Sequence, residues 1–158
     1  MKFAEFICKE SIEVALKATE KKDTICEMVA KLRDAGHVAP EEYENIVKAI
    51  MKREELGSTG IGRCVAVPHT KHPSIKKMVG TVAVSPSGVN FDSLDGQPVH
   101  VLFMLVSPPD NPSEHLRALE HIARQLRDDM FRRFMMQVKT REDVCQLLDE
   151  ADNNEYGG

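Results

Sequence analysis

Between residues 23 and 56 the apolar side chains return every three or four positions. Ile25, Met28, Val29 and Leu32 share one face of a helix that Asp23 can cap. Gly36 is placed to end it as a left-handed residue. Pro40, Glu41 and Glu42 open a second helix, with proline at the first position and acids at the positive end of the dipole. Its face is Tyr43, Ile46, Val47, Ile50 and Met51, and Gly57 stops it. The period then changes. CVAVPH and MVGTVAVS read as strands, and HVLFMLVS is a continuous apolar run, the mark of a strand covered on both faces. PSGVNFDSLDGQP, dense in turn formers, makes a hairpin-like connection.

Beyond PPDNP the helical period resumes. Leu116, Leu119, Ile122, Ala123 and Leu126 line one face; Met130, Phe131, Phe134 and Met135 form a second cluster. A last helix opens at Thr140–Asp143, with Val144, Leu147 and Leu148 inward. Residues 151–158 read as a flexible tail after one domain of residues 1–150. The first twenty residues are ambiguous: FAEFI fits a short helix or a loop, and SIEVAL alternates like an edge strand. Helices before and after a buried sheet predict an α/β protein, a three-layer α/β/α sandwich with a mixed central sheet.

The candidate chemistry gathers around REELGSTGIGRCVAVPH, residues 53–69. Pro68 fixes one torsion and disfavours helical geometry at Val67, so His69 leaves the strand on a stiff backbone. A fixed imidazole suits a nucleophile or a general base; a satisfied surface or core histidine is the plain alternative. His115 follows Asn111-Pro112-Ser113-Glu114, a capped helix start, where the helix dipole attracts anions and depresses an imidazole pKa. It also reads simply as a histidine on a helix surface. Arg53 sits where a cation favours a helix C-terminus, yet its planar fork also fits a phosphate. Gly57, Gly60 and Gly62 read as a helix stop and a bend, or as a loop offering N–H groups to an anion. They match neither the GxxxxGK[ST] phosphate loop nor a strand-to-helix GxGxxG.

Composition narrows the classes further. The chain has 158 residues and a net charge of −4, with 5% aromatics and no Trp, which argues against a nucleic-acid surface. No apolar run approaches the roughly 20 residues that span a bilayer, and the N-terminus does not read as a secretory signal. The expectation is a cytoplasmic protein with no direct membrane insertion, its four scattered cysteines reduced. The histidine spacings complete no metal site, and no cofactor is implied.

The run RE-LGSTGIG--VAVPH resembles the active-site segment of enzyme IIA domains of the bacterial phosphotransferase system, in the fructose, mannitol and nitrogen-regulatory branch. GVNFDSLDGQPVHVLFMLVSPPDNPSEHLRALEHIARQL is similar to the central strand and following helix of the same family, and the likeness spans residues 5 to 150. It implies a phosphoryl carrier. His69 would accept phosphate from the histidine-containing phosphocarrier protein, His115 would lie beside the phosphoryl group, Arg53 would be the third catalytic residue, and Ser58, Thr59 and Gly60 would form the phosphate-binding bend. Enzyme IIB or a regulatory protein would be the acceptor or target, and no metal is required. With no membrane domain in the sequence, the resemblance leans to the nitrogen-type regulatory branch, a module whose partner binding depends on phosphorylation. A third implication is an inactive scaffold of the same fold. Cys64 departs from the family, which usually carries glycine there, and Arg63 stands where a polar Asn or Glu is common.

Overall fold

The computed structural model describes residues 1–153. α1 (Lys21–Asp34) and α2 (Tyr43–Glu55) bury the expected stripes: Ile25, Met28, Val29 and Leu32 on the first, Ile46, Val47 and Ile50 on the second. Their starts differ from expectation. α1 begins three residues early, with Glu20 rather than Asp23 as N-cap, so Asp23 lies inside the first turn. Pro40–Glu42 winds as a separate 3₁₀ turn before α2. Gly36 ends α1 at φ +88°, as its position implies.

The sheet contains β1 (Gly60–Gly62), β2 (Val65–Ala66), β3 (His69–Lys71), β4 (Val79–Val89) and β5 (Val99–Ser107). β5 is central. On one edge it pairs parallel with β2 and β3, which keep one register along it: Val65 faces Val101 and His69 faces Leu105. On the other edge it pairs antiparallel with β4, joined to it by the predicted connection. β1 turns back antiparallel on β2. Two expectations are corrected here. The glycine stretch is not an open loop, since Gly60–Gly62 is itself a strand. CVAVPH is not one continuous strand: Cys64 belongs to the β1–β2 turn, and the ladder breaks at Val67–Pro68, where proline has no N–H to give.

Alternation along β5 divides the interior into two layers. Val101, Phe103 and Leu105 point toward α3 (Pro112–Leu126), α4 (Asp129–Met135) and α5 (Arg141–Asp152). Leu102, Met104 and Val106 point toward α1 and α2. The result is the predicted three-layer sandwich with a mixed sheet.

The C-terminal helices carry further corrections. On α3 the buried stripe is His115, Ala118, Ile122, Gln125 and Leu126, while Leu116 is 56% exposed. The apolar count missed it because two members of the inward face are polar. On α4 Phe131 and Met135 are buried, but Met130 and Phe134 are exposed. α5 opens as expected on Thr140, in a capping box with Asp143. It runs on through Asp152, so residues 151 and 152 are not tail: Ala151 is buried, and the Asp152 carboxylate accepts from the Phe3 and Ala4 amides. The remaining tail, 154–158, lies outside the described residues.

SIEVAL does not form an edge strand. The N-terminal segment follows the free edge of β4 through single bridges at Ile7–Gly80, Glu13–Ala83 and Glu20–Asn90, broken by 3₁₀ turns at Phe3–Glu5 and Lys9–Ser11. It still covers an edge that would otherwise present unpaired amides.

Candidate functional site

The break in the strand shapes the site. Next to the break, the Val67 carbonyl meets His69, whose Nδ1 lies 2.8 Å away. A carbonyl only accepts, so Nδ1 carries the proton and donates. That leaves Nε2 as the ring nitrogen with a free lone pair. On the far side of the break, the Pro68 carbonyl accepts from the Leu105 amide at 3.1 Å, which ties the histidine to the central strand.

His115 arrives from α3. Asn111 caps this helix, its side chain accepting from the Glu114 amide at 3.2 Å, and Pro112 takes the first position. The His115 ring is buried at 5% exposure, with Nδ1 2.7 Å from the Ser107 hydroxyl at the end of β5. The two imidazoles meet with centroids 5.7 Å apart and planes at 55°. Both therefore stand beside the C-terminal end of the central strand β5, the side on which open α/β sheets hold their ligands.

Electrostatics keep the pair neutral. Burial lowers the His69 pKa, helped by the charges of Arg53 and Lys71 and opposed by the Val67 hydrogen bond and Glu54. His115 is lowered to about 4, by burial first, then by His69 and Lys71. The expected depression is present, but its causes are desolvation and neighbouring positive charge rather than the helix dipole.

The other candidates occupy one bend. Arg53 Nη1 donates to the Gly57 carbonyl at 3.0 Å, the helix-end role, and its charge also reaches His69. Thr59 donates its amide to Glu54 Oε1 at 3.1 Å and its hydroxyl to Glu54 Oε2. Ser58 Oγ accepts the Gly60 amide at 3.0 Å and donates to the Phe91 carbonyl. The Thr59 and Gly60 amides thus have acceptors inside the bend.

Glu54, Ser107 and Val67 are the residues that pattern reading passed over. Glu54 is buried, and Lys21 from the start of α1 pairs with it at 3.0 Å. Its signal was available: an acid in the last turn of a helix opposes the dipole, so it must answer to something else. Ser107 also left a trace, as the one hydroxyl closing an apolar strand.

A family profile described as "Phosphoenolpyruvate-dependent sugar phosphotransferase system, EIIA 2" matches residues 5–151. The chain belongs to this EIIA family. A nitrogen regulatory protein of Bradyrhizobium diazoefficiens is 37% identical over 128 residues, 81% of this chain and 82% of the relative. The fructose-specific EIIABC component of Bacillus subtilis is 31% identical over 96% of this chain, which corresponds to 24% of that longer protein. Among solved structures, the nitrogen regulatory protein IIA-Ntr from Neisseria meningitidis superposes with a TM-score of 0.82 at 30% identity, covering 91% of this chain and 97% of that one. EIIA domains are phosphotransfer components, and the paired imidazoles of this member lie where its strand break and capped helix converge. No helix among the described residues is long and apolar enough to cross a membrane.

Proposed function

We propose that this EIIA protein carries a phosphoryl group on His69 Nε2, received from the histidine-containing phosphocarrier protein. The observation that carries the reading is the Nδ1–Val67 hydrogen bond beside a second, buried imidazole. The Nε2 lone pair attacks the phosphorus of the donor's phosphohistidine. A new N–P bond forms as the old one breaks, and its electron pair returns to the donor's ring nitrogen. His69 keeps its Nδ1 proton throughout, and the Val67 carbonyl stabilises the cationic phosphorylated ring. Neutral His115 supports the transfer if the Ser107 hydroxyl donates to Nδ1, because the ring proton then sits on Nε2, facing the phosphoryl oxygens. Arg53 supplies positive charge, and Glu54 holds the Ser58–Thr59–Gly60 bend in register around it. Since the Thr59 and Gly60 amides are engaged, we assign the bend chiefly a positioning part in phosphate binding.

Incubation with phosphoenolpyruvate, enzyme I and the phosphocarrier is expected to give an acid-labile label on the wild-type chain. Equal labelling of a His69→Ala variant would sink the assignment.

The acceptor follows two lines. In the Bacillus subtilis relative the A component shares a chain with B and C components, which supports enzyme IIB as acceptor. The similarity to nitrogen regulatory proteins of comparable length supports a regulatory target, gripped differently once His69 is phosphorylated. Partner capture with His69→Asp and His69→Ala forms separates these: identical partner sets exclude the switch.

A further inference from the structure

The end of the sheet opposite the histidines holds a second concentration of charge. Arg63 and Cys64 form the two-residue turn between β1 and β2, and α3 ends at Leu126 beside it, with α4 following at once. Between them lies a cleft of about 630 Å³, lined by Arg63, Cys64, Arg127, Arg132, Arg133 and Met136, with Asp129 as its acid. It is remote from the first site. From Cys64 to His69 the chain advances about 16 Å along the strand direction, and from His115 to Arg127 about 18 Å along α3.

The four guanidinium groups are not equivalent. Arg132 is spent on the fold: Nη1 donates to the Leu126 carbonyl at 2.6 Å and Nη2 to Asp129 at 3.0 Å. Arg133 meets the other Asp129 oxygen at 2.7 Å. Arg63 and Arg127 are exposed, and neither side chain has an ion pair among the described residues. The neighbouring carboxylates do not supply one. Asp95 accepts the backbone amides of Arg63 and Gln97, and Asp128 caps α4 through the Phe131 amide. Four cations therefore line the cleft with one carboxylate, Asp129, and both of its oxygens are already taken by Arg132 and Arg133.

The turn is also held at a cost. Arg63 has φ +58° and Cys64 φ +69°, the left-handed geometry of a type I′ hairpin turn, which Asn-Gly adopts without strain. This chain instead spends both positions on side chains that line the cleft.

We propose that this cleft binds a small molecule bearing two or more adjacent phosphates. Guanidinium forks match phosphate oxygens two at a time, and the volume lies in the range of small-ligand sites. An extended polyanion fits less well, because the chain as a whole carries −4 and the positive charge is confined to this concavity. The site requires neither His69 nor phosphoryl transfer, so it stands apart from the carrier reading.

Calorimetric titration of the full chain with inorganic tripolyphosphate at physiological salt tests it, with ATP as the nucleotide arm. Saturable binding is expected, weakened roughly 10-fold by Arg63→Gln and again by Arg127→Gln, and unchanged in His69→Ala. Asp129→Asn, which removes the competing carboxylate, should tighten it. Tripolyphosphate should also slow alkylation of Cys64 in the wild-type chain, a readout independent of whether the variants fold. ATP binding more tightly than tripolyphosphate would identify a nucleotide as the source; equal binding would identify the phosphate chain alone. Undiminished binding in the Arg63→Gln/Arg127→Gln chain, or binding lost in His69→Ala, would overturn the proposal. So would protection of Cys64 by polyglutamate but not by tripolyphosphate, which would make the cleft a seat for an acidic protein.

Discussion

Burial of His115 predicts a specific dependence of stability on pH. The ring titrates near 4 in the folded chain and near 6.5 when unfolded, so the unfolded state binds more protons between those values. A lowered folded pKa means that stability is complete above about pH 6.5 and is lost as pH falls toward 4. Linkage puts the loss at about 2 kcal/mol between pH 7 and pH 5, or roughly 4–8 °C in Tm for a domain of this size. Other groups titrate in the same window. His69 and His121 are also lowered, whereas Glu13 is raised to about 7 by burial and by its neighbour Glu27, an effect of opposite sign. The quantity to measure is therefore a difference. Urea denaturation of the wild type and of His115→Gln at pH 7 and pH 5 isolates the one ring, because the remaining groups cancel. The variant should lose about 2 kcal/mol less than the wild type across the interval. Equal losses would refute the claim that desolvation holds His115 neutral, and with it the role of a neutral hydrogen-bond donor at the phosphoryl group.

Other expectations follow from individual contacts. Cys64→Gly relieves a left-handed residue in the β1–β2 turn and should stabilise the chain by about 1 kcal/mol in urea melts. Ser107→Ala removes the partner of His115 Nδ1 and should slow phosphorylation of His69 roughly 10-fold in quench-flow labelling, with little change in fold by circular dichroism. Glu54→Ala leaves Lys21 with only the longer Asp92 contact at 3.8 Å and frees the Thr59 amide, a loss of about 2 kcal/mol that differential scanning calorimetry would register. Asp128→Ala removes the N-cap of α4 and should cost about 1 kcal/mol by the same measurement.

Periodicity made the layers legible because burial repeats. The stripes on α1 and α2 and the apolar run of β5 each place several side chains in the same environment, and one exception does not hide them. The misses share the opposite character. SIEVAL alternates like a strand, but its partner positions on β4 are unevenly spaced, so only isolated bridges form. The inward face of α3 includes His115 and Gln125, which an apolar count assigns to solvent. Asp152 reads as a tail residue, yet two amides 148 and 149 residues away decide its place. At the site, His69, His115 and Arg53 were legible as residue types at telling positions. The groups that fix their protonation were not, because one is a backbone carbonyl and another a serine at the end of a buried strand.

The strand break at Val67–Pro68 joins the two levels. The Val67 amide donates to the Thr59 carbonyl, so Val67 faces away from β5, and its own carbonyl is left for His69 because Glu54 takes the Thr59 amide. Proline interrupts the ladder without moving the chain off the register it holds on β5, since Val65 and His69 keep the same offset on either side. The Val67 carbonyl can therefore hold Nδ1–H, and the rigid central strand still sets where Nε2 points. The same β5 ends in Ser107, which orients the second ring. One edge of one strand thus determines both the position and the protonation of the pair. Glu54→Ala frees the Thr59 amide to compete for the Val67 carbonyl and should therefore disturb the His69 tautomer, and the ring's 15N shifts report which nitrogen carries the proton. An unchanged Nδ1–H tautomer in Glu54→Ala would mean that the Thr59 amide does not compete for the Val67 carbonyl.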